Sequence, residues 1–231
     1  MKNIYLILMI FIFCLCYPSL LIANSNHLPP GFVYLKDIDA TIVQDIRYST
    51  YHNFIGRPIK GYETGECILT KPAALALANT QKELQHAALS LKVYDCYRPQ
   101  MAVDDFIAWS QQPNAQQMKA EFYPRVNKVD FFKLGYVAAK SSHTRGSTVD
   151  LTLVPISNLA QEQYHPGQKL IACFVPYLKR FHDGSIDMGT GFDCMDELSH
   201  NDNNAINLVA YHHRLLLKKL MEKYGFVPYQ P

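Results

Sequence analysis

The stretch from Thr70 to Pro99 constrains the fold more than any other part of the chain. Thr70 suits a helix N-cap, and Pro72 falls where a first helical turn tolerates proline. Ala73, Leu77, Leu84 and Ala88 then recur at helical spacing, with Ala74 and Ala78 widening the apolar face. The spacing predicts a helix from Lys71 to about Leu89. Directly after it, Leu91, Val93, Asp95 and Tyr97 alternate with Lys92, Tyr94 and Cys96. That period of two predicts a short strand, ended by Arg98-Pro99.

The mixture recurs downstream. A second helix is expected from about Met101 to Ser110. The β-rich run Thr148 to Val154 reads as a central strand. A long helix is expected from Ala205 to Tyr224, with Gly225 as its left-handed stop and Phe226 to Tyr229 opening a further strand. Upstream, short strands are expected around Asp45-Ile46-Arg47-Tyr48. The stretch Asn53 to Glu66, with its glycines and Pro58, reads as a loop, and Pro155 to Ile186 reads as an insertion. Helices and strands so mixed describe an α+β class: a single domain with a small antiparallel sheet flanked by helices.

Lys2 precedes the apolar run Ile4 to Cys16, Tyr17-Pro18 ends it, and Leu20 to Ala23 leads into polar Asn24-Ser25-Asn26. This is the pattern of a secretory signal peptide over residues 1–23, leaving a domain from 24 to 231 exported to the periplasm or secreted, with no membrane contact after cleavage. An uncleaved anchor is the alternative. The formal net charge of +2 and the lack of a basic stripe argue against a nucleic-acid partner. Cys14 and Cys16 fall in the leader. Cys67, Cys96, Cys173 and Cys194 remain, and an even set in an exported chain points to disulfides. Four cysteines allow three pairings, and their spacing does not choose among them.

Three clusters carry potential chemistry. In Ser141-Ser142-His143-Thr144-Arg145-Gly146-Ser147-Thr148-Val149-Asp150, His143 and Asp150 offer the imidazole and carboxylate donors that zinc accepts. They are seven positions apart, so a straight strand would point them to opposite faces. A bulge or bend at Gly146 brings them to one side. Taken alone, the pair also fits a capped turn with a solvated aspartate. In Asp95-Cys96-Tyr97-Arg98-Pro99, Arg98 sits at a strand end, where a guanidinium can stabilise a developing oxyanion; the plainer role is an ion pair with Asp95. Asp193-Cys194-Met195-Asp196-Glu197-Leu198-Ser199-His200 groups three carboxylates with a histidine, as a metal site or as a solvated polar loop. His212 and His213 point about 100° apart on their helix, so they do not clamp one ion together.

Together these runs resemble the D-alanyl-D-alanine dipeptidases of the vancomycin-resistance type, within the zinc D-Ala-D-Ala peptidases. The resemblance runs from about Asp45 to Tyr229. It includes Asp45-Ile46-Arg47-Tyr48, Asn53-Phe54-Ile55-Gly56-Arg57-Pro58, Asp95 to Pro99, Ser141 to Leu153 and Asp187-Met188-Gly189-Thr190-Gly191-Phe192-Asp193. It implies one Zn²⁺ per chain held by His143 and Asp150, with Arg98 stabilising the tetrahedral transition state. It implies a pocket of Tyr48, Ser141 and Asp193 for a small dipeptide, D-Ala-D-Ala, with Asp193 on its free ammonium. The family motif continues after Gly225-Phe226-Val227-Pro228-Tyr229 with Glu-Trp-Trp-His, the general base and third zinc ligand, and residues 1–231 contain no match to that segment. The resemblance also suggests the pairing Cys173–Cys194, pinning the insertion beside the pocket, with Cys67–Cys96 tying a helix start to the Arg98 strand. The rival expectations are a related cell-wall D,D-carboxypeptidase and an inactive homologue that binds D-Ala-D-Ala-like ligands without cutting them.

Overall fold

The structure, a computed structural model, describes residues 28–157 and 161–229, so the expected leader lies outside the described residues. Phe32–Tyr34 (β1) and Ile68–Thr70 (β3) form a two-stranded antiparallel ribbon. The short helix Leu35–Ile38 (α1) follows β1. The helix foreseen from periodicity runs Lys71–His86 (α2), with Ala73, Ala74, Leu77, Ala78 and Leu84 buried. Thr70 stands at its N-cap position but makes no capping bond. Its hydroxyl instead meets Ser147 Oγ at 2.8 Å, and its backbone N–H donates to the Gly146 carbonyl at 2.7 Å.

The foreseen strand is Leu89–Asp95 (β4), the middle of a three-stranded sheet. Asp150–Pro155 (β5) pairs with it antiparallel, with a register shift between Val93 and Asp95. Val43–Gln44 (β2) pairs with its other edge in parallel. The small sheet flanked by helices is thus as expected, but it is mixed rather than antiparallel throughout. β2 and β4 can run parallel because β3 and α2 lie between them in sequence and supply the crossover.

Two apolar clusters share the interior. One holds Leu35, Ile42, Leu69, Leu77, Leu91, Val93 and Leu153 between α2 and the sheet. The other is aromatic: Tyr48, Phe54, Phe106, Trp109, Phe122, Tyr123 and Phe131, built on Gln100–Ser110 (α3) and Lys119–Phe122 (α4). Asn53, fully buried, organises the loop between them. Its amide donates to the carbonyls of Thr50 and Arg57 at 2.7 and 2.8 Å. Its oxygen accepts from the N–H groups of Ile55 and Gly56.

The strand expected around Asp45 to Tyr48 forms only at its start, in β2 and the Asp45 N–H that donates to the Val93 carbonyl at 2.9 Å, and the one expected from Phe226 does not form. Arg47-Tyr48 lies in a 3₁₀ turn, Arg47–Ser49, because Arg47 turns inward to ion pairs that an extended backbone would not serve. Residues 226–229 are irregular. Leu208–Lys223 (α5) ends as foreseen at Gly225, whose φ is +89°. On α5, His212 is exposed and His213 half-buried, its Nδ1 against the Asp187 carbonyl at 2.7 Å. Among the described residues no helix is long and apolar enough to cross a membrane.

Candidate active site

The end of β4 and the turn before β5 form one wall of the site. Ser142–Arg145 is a 3₁₀ turn, with Ser141 as its N-cap and Gly146 closing it at φ +75°. Ser141 Oγ accepts from the His143 N–H at 3.2 Å. The His143 carbonyl accepts from the N–H of Gly146 at 2.9 Å and of Arg98 at 3.4 Å, tying the turn to the strand end. The bend foreseen at Gly146 is therefore a helical-turn stop rather than a β-bulge. It has the expected result: His143 Nε2 and Asp150 Oδ1 lie 3.5 Å apart. A Cβ at position 146 would sit 2.3 Å from the Phe32 ring, so both the turn and the packing demand glycine.

His143 is buried, and its Nδ1 lies 2.9 Å from the Cys96 carbonyl. A carbonyl only accepts, so Nδ1 carries the hydrogen and Nε2 faces Asp150. This is the arrangement by which metal-binding histidines are held to one tautomer. An imidazole nitrogen and a carboxylate oxygen facing each other across this gap suit a zinc ion as donor types. Burial opposes charge on His143, but the Asp150 and Asp95 carboxylates outweigh it and raise its pKa. Burial likewise works against Asp150, whose pKa is nonetheless lowered by His143 and Arg98.

Asp95, His143 and Asp150 form the one group of three potential metal-ligating side chains among the described residues, with ligand atoms within 4.8 Å of one another. Sequence reasoning placed Asp95 beside Arg98 and not in this cluster. Its oxygens are already engaged. Oδ1 accepts from Tyr62 Oη at 2.6 Å and from the Cys96 N–H at 2.9 Å. Oδ2 accepts from Arg98 Nε and Nη2 at 3.0 and 2.8 Å. Asp95 is fully buried, and a carboxylate so saturated aims its neighbours rather than offering a free ligand atom. The ion pair considered for Arg98 is therefore present, and it does not remove Arg98 from the site. Arg98 Nη2 stands 3.7 Å from Asp150 Oδ2, and its guanidinium lies over the rings of Tyr48 and Phe106.

The opposite wall comes from the segment that follows the insertion. Asp193 Oδ2 accepts from the buried Tyr48 hydroxyl at 2.8 Å. Burial pushes the Asp193 carboxyl up to about 7, and the Asp150 charge adds to the shift. The run from Asp193 to His200 is no solvated loop: Cys194, Met195 and Asp196 are buried, and Asp196 caps the turn Glu197–Ser199. Glu197 and His200 do not join the metal-ligating group.

Both suggested disulfides are present. Cys67–Cys96 spans a sequence separation of 29 and ties β3 to the strand end, while Cys173–Cys194 spans 21 and ties the insertion to the residue after Asp193. Behind the site, Arg47 donates to Asp45, His52 and Asp183. An arginine can only donate, so His52 Nδ1 accepts and its Nε2–H is given to Glu121 at 2.8 Å. Lys92 reaches Asp45 at 2.8 Å and the Asp183 carbonyl at 2.6 Å. This buried network was not foreseen. Its members lie far apart in sequence, and only the charges on the otherwise apolar strand run at Lys92 and Asp95 hinted that carboxylates and cations would meet there.

An α+β domain whose histidine, aspartate and arginine converge in this way has the form of a metallohydrolase. A family model described as D-ala-D-ala dipeptidase matches residues 29–162. The chain is 36% identical over 200 residues to a D-alanyl-D-alanine dipeptidase of Enterococcus faecalis, covering 87% of each chain. It is 35% identical over 198 residues to one of Streptomyces coelicolor, covering 86% of each. A third D-alanyl-D-alanine dipeptidase, from Escherichia coli, is 31% identical over 183 residues. The chain belongs to the D-Ala-D-Ala dipeptidase family, a family of metallopeptidases.

Proposed function

We propose that this protein is an exported zinc peptidase of cell-wall peptide metabolism that hydrolyses D-Ala-D-Ala to two D-alanines. The observation that carries the reading is the convergence of His143 Nε2 and Asp150 Oδ1 at 3.5 Å, beside Arg98, in a chain of this family. His143 and Asp150 would hold the zinc. Bound there, zinc supplies a nucleophilic water and a polarised carbonyl at neutral pH.

The chain's own residues do the rest. The Cys96 carbonyl and Asp95 keep the imidazole aimed. Arg98 is braced by two hydrogen bonds to Asp95, so its remaining donors face charge that develops on the scissile carbonyl oxygen. On the far wall, Asp193 takes the substrate's free ammonium, with Tyr48 fixing its carboxylate group, while Ser141, in the turn of the first wall, closes the pocket. A dipeptide with a blocked amine would leave the Asp193 carboxylate without an ammonium partner, which favours the free dipeptide over an N-acylated cell-wall peptide.

The family's general base and third zinc ligand match nothing in residues 1–231. The intact mass of the protein from its native source is therefore the first check. The mass shows whether the native protein carries them, and the reading predicts one zinc per chain with turnover of D-Ala-D-Ala. Turnover of N-acetyl-D-Ala-D-Ala at an equal rate would count against the dipeptidase reading and for a carboxypeptidase.

A further inference from the structure

Asp193 stands in an unusual place for a side chain offered to a ligand. Its φ is +53°, and Ala88 is the one other non-glycine residue with positive φ among the described residues. A residue other than glycine persists there only where its surroundings over-determine it. Regular structure does not provide that hold. The described residues from 161 to 192 contain no strand and no α-helix, only the 3₁₀ turn Tyr177–Lys179.

What holds Asp193 is Cys173. The Cys173 N–H donates to the Glu121 carbonyl at 3.0 Å, and its own carbonyl accepts from the Gly191 N–H at 2.8 Å. Its sulfur is bonded to Cys194, the residue after Asp193. The Met195 N–H then donates to the Phe122 carbonyl at 2.8 Å. Both flanks of Asp193 are thus fixed to α4, and Cys173 is the shared post.

We propose that the Cys173–Cys194 disulfide is a positioning device for ligand recognition, holding Asp193 in its left-handed turn so that its carboxylate faces the pocket against Tyr48. This rests on the reading of Asp193 as the partner of the ligand ammonium. With the bond absent, hydrogen bonds alone flank the turn. Asp193 then relaxes to negative φ, and its carboxylate leaves the Tyr48 hydroxyl. The loss falls on ligands with a free amine and spares those whose amine is blocked.

Calorimetry on the metal-free full chain avoids turnover, with D-Ala-D-Ala and N-acetyl-D-Ala-D-Ala as probes. The wild-type chain is expected to prefer the free amine. Cys173→Ser/Cys194→Ser should weaken the free dipeptide about tenfold, the scale of a hydrogen bond to a charged group, and leave the acetylated one unchanged. In an Asp193→Asn background the same pair of substitutions should cause no further loss. Equal weakening of both probes by cysteine removal, or no weakening of the free dipeptide, overturns the proposal while the amine reading stands. So do losses that multiply with Asp193→Asn. A wild-type chain indifferent to acetylation, or an Asp193→Asn chain that keeps the preference, overturns the amine reading and the proposal together. Circular dichroism follows folding. If the double variant unfolds, dithiothreitol reduction of the folded wild-type chain, mapped by alkylation, replaces it and is read by the same outcomes.

Discussion

The two walls of the site are held by different means. His143, Asp150 and Arg98 sit where a strand end meets a 3₁₀ turn, and main-chain hydrogen bonds of the sheet set their places. Asp193 sits in a stretch without regular structure, set by a disulfide and a few bonds to α4. The first wall inherits its geometry from the fold. The second is fastened to it afterwards. Under the proposed roles the first wall would hold a metal and the second a small ligand, and both need their side chains held close to one geometry.

The sharpest way to break this comparison is at the metal. His143→Ala is expected to take bound zinc from about one per chain to near zero, while Asp193→Asn leaves it unchanged, both read by atomic absorption on dialysed protein. Zinc loss in both variants would mean that the walls are not independent.

The disulfides come next. Their sequence separations of 29 and 21 predict similar losses of stability when either is removed, about 2–4 kcal/mol each in denaturant unfolding. The comparison predicts that their functional effects differ. Cys67→Ser/Cys96→Ser should weaken zinc binding, because the Cys96 carbonyl orients His143. Removal of Cys173–Cys194 should not. Zinc titration of the two variants side by side decides it.

Acid should then loosen the buried network behind the site. Burial works against the charges of Asp45 and Asp183, yet Arg47 and Lys92 hold both carboxyls below their ordinary value. A lowered folded pKa contributes stability that is fully present above the unfolded value of about 4 and is lost as pH falls through the lower folded value. Urea midpoints should therefore drop below about pH 4, and Asp45→Asn should flatten that drop. The smallest effect is expected at Arg57. It grips the buried Asp105 with two bonds, of 2.7 and 2.9 Å, but is itself partly exposed. Arg57→Ala should lower stability by about 1 kcal/mol after allowance for solvent screening, with zinc binding untouched.

The first wall was legible in the sequence, and the second much less so. Helical spacing located α2, alternation located β4, and the glycine between His143 and Asp150 explained how two donors seven positions apart share one side. Periodicity reports which faces are buried but not what they pair with, so the parallel partner of β4 stayed hidden. The strand expected around Asp45 to Tyr48 stops short of Arg47 because Arg47 and Tyr48 serve an ion pair to Asp183 and a hydrogen bond to Asp193, more than a hundred residues away. Those partners leave no local trace. The same holds for the Cys96 carbonyl, a main-chain atom that every residue possesses.

The Phe32 ring carries a consequence for how the chain can be trimmed. It fills the space beside Gly146 and stands edge-on to Tyr97, at 5.7 Å between ring centres. The carbonyl just before it, on Gly31, accepts from the Lys71 N–H at 2.8 Å. A processing enzyme that cut within this ribbon would unseat the turn between the two donors without touching either of them. A truncation of this protein that keeps the turn in place must therefore stop short of Gly31.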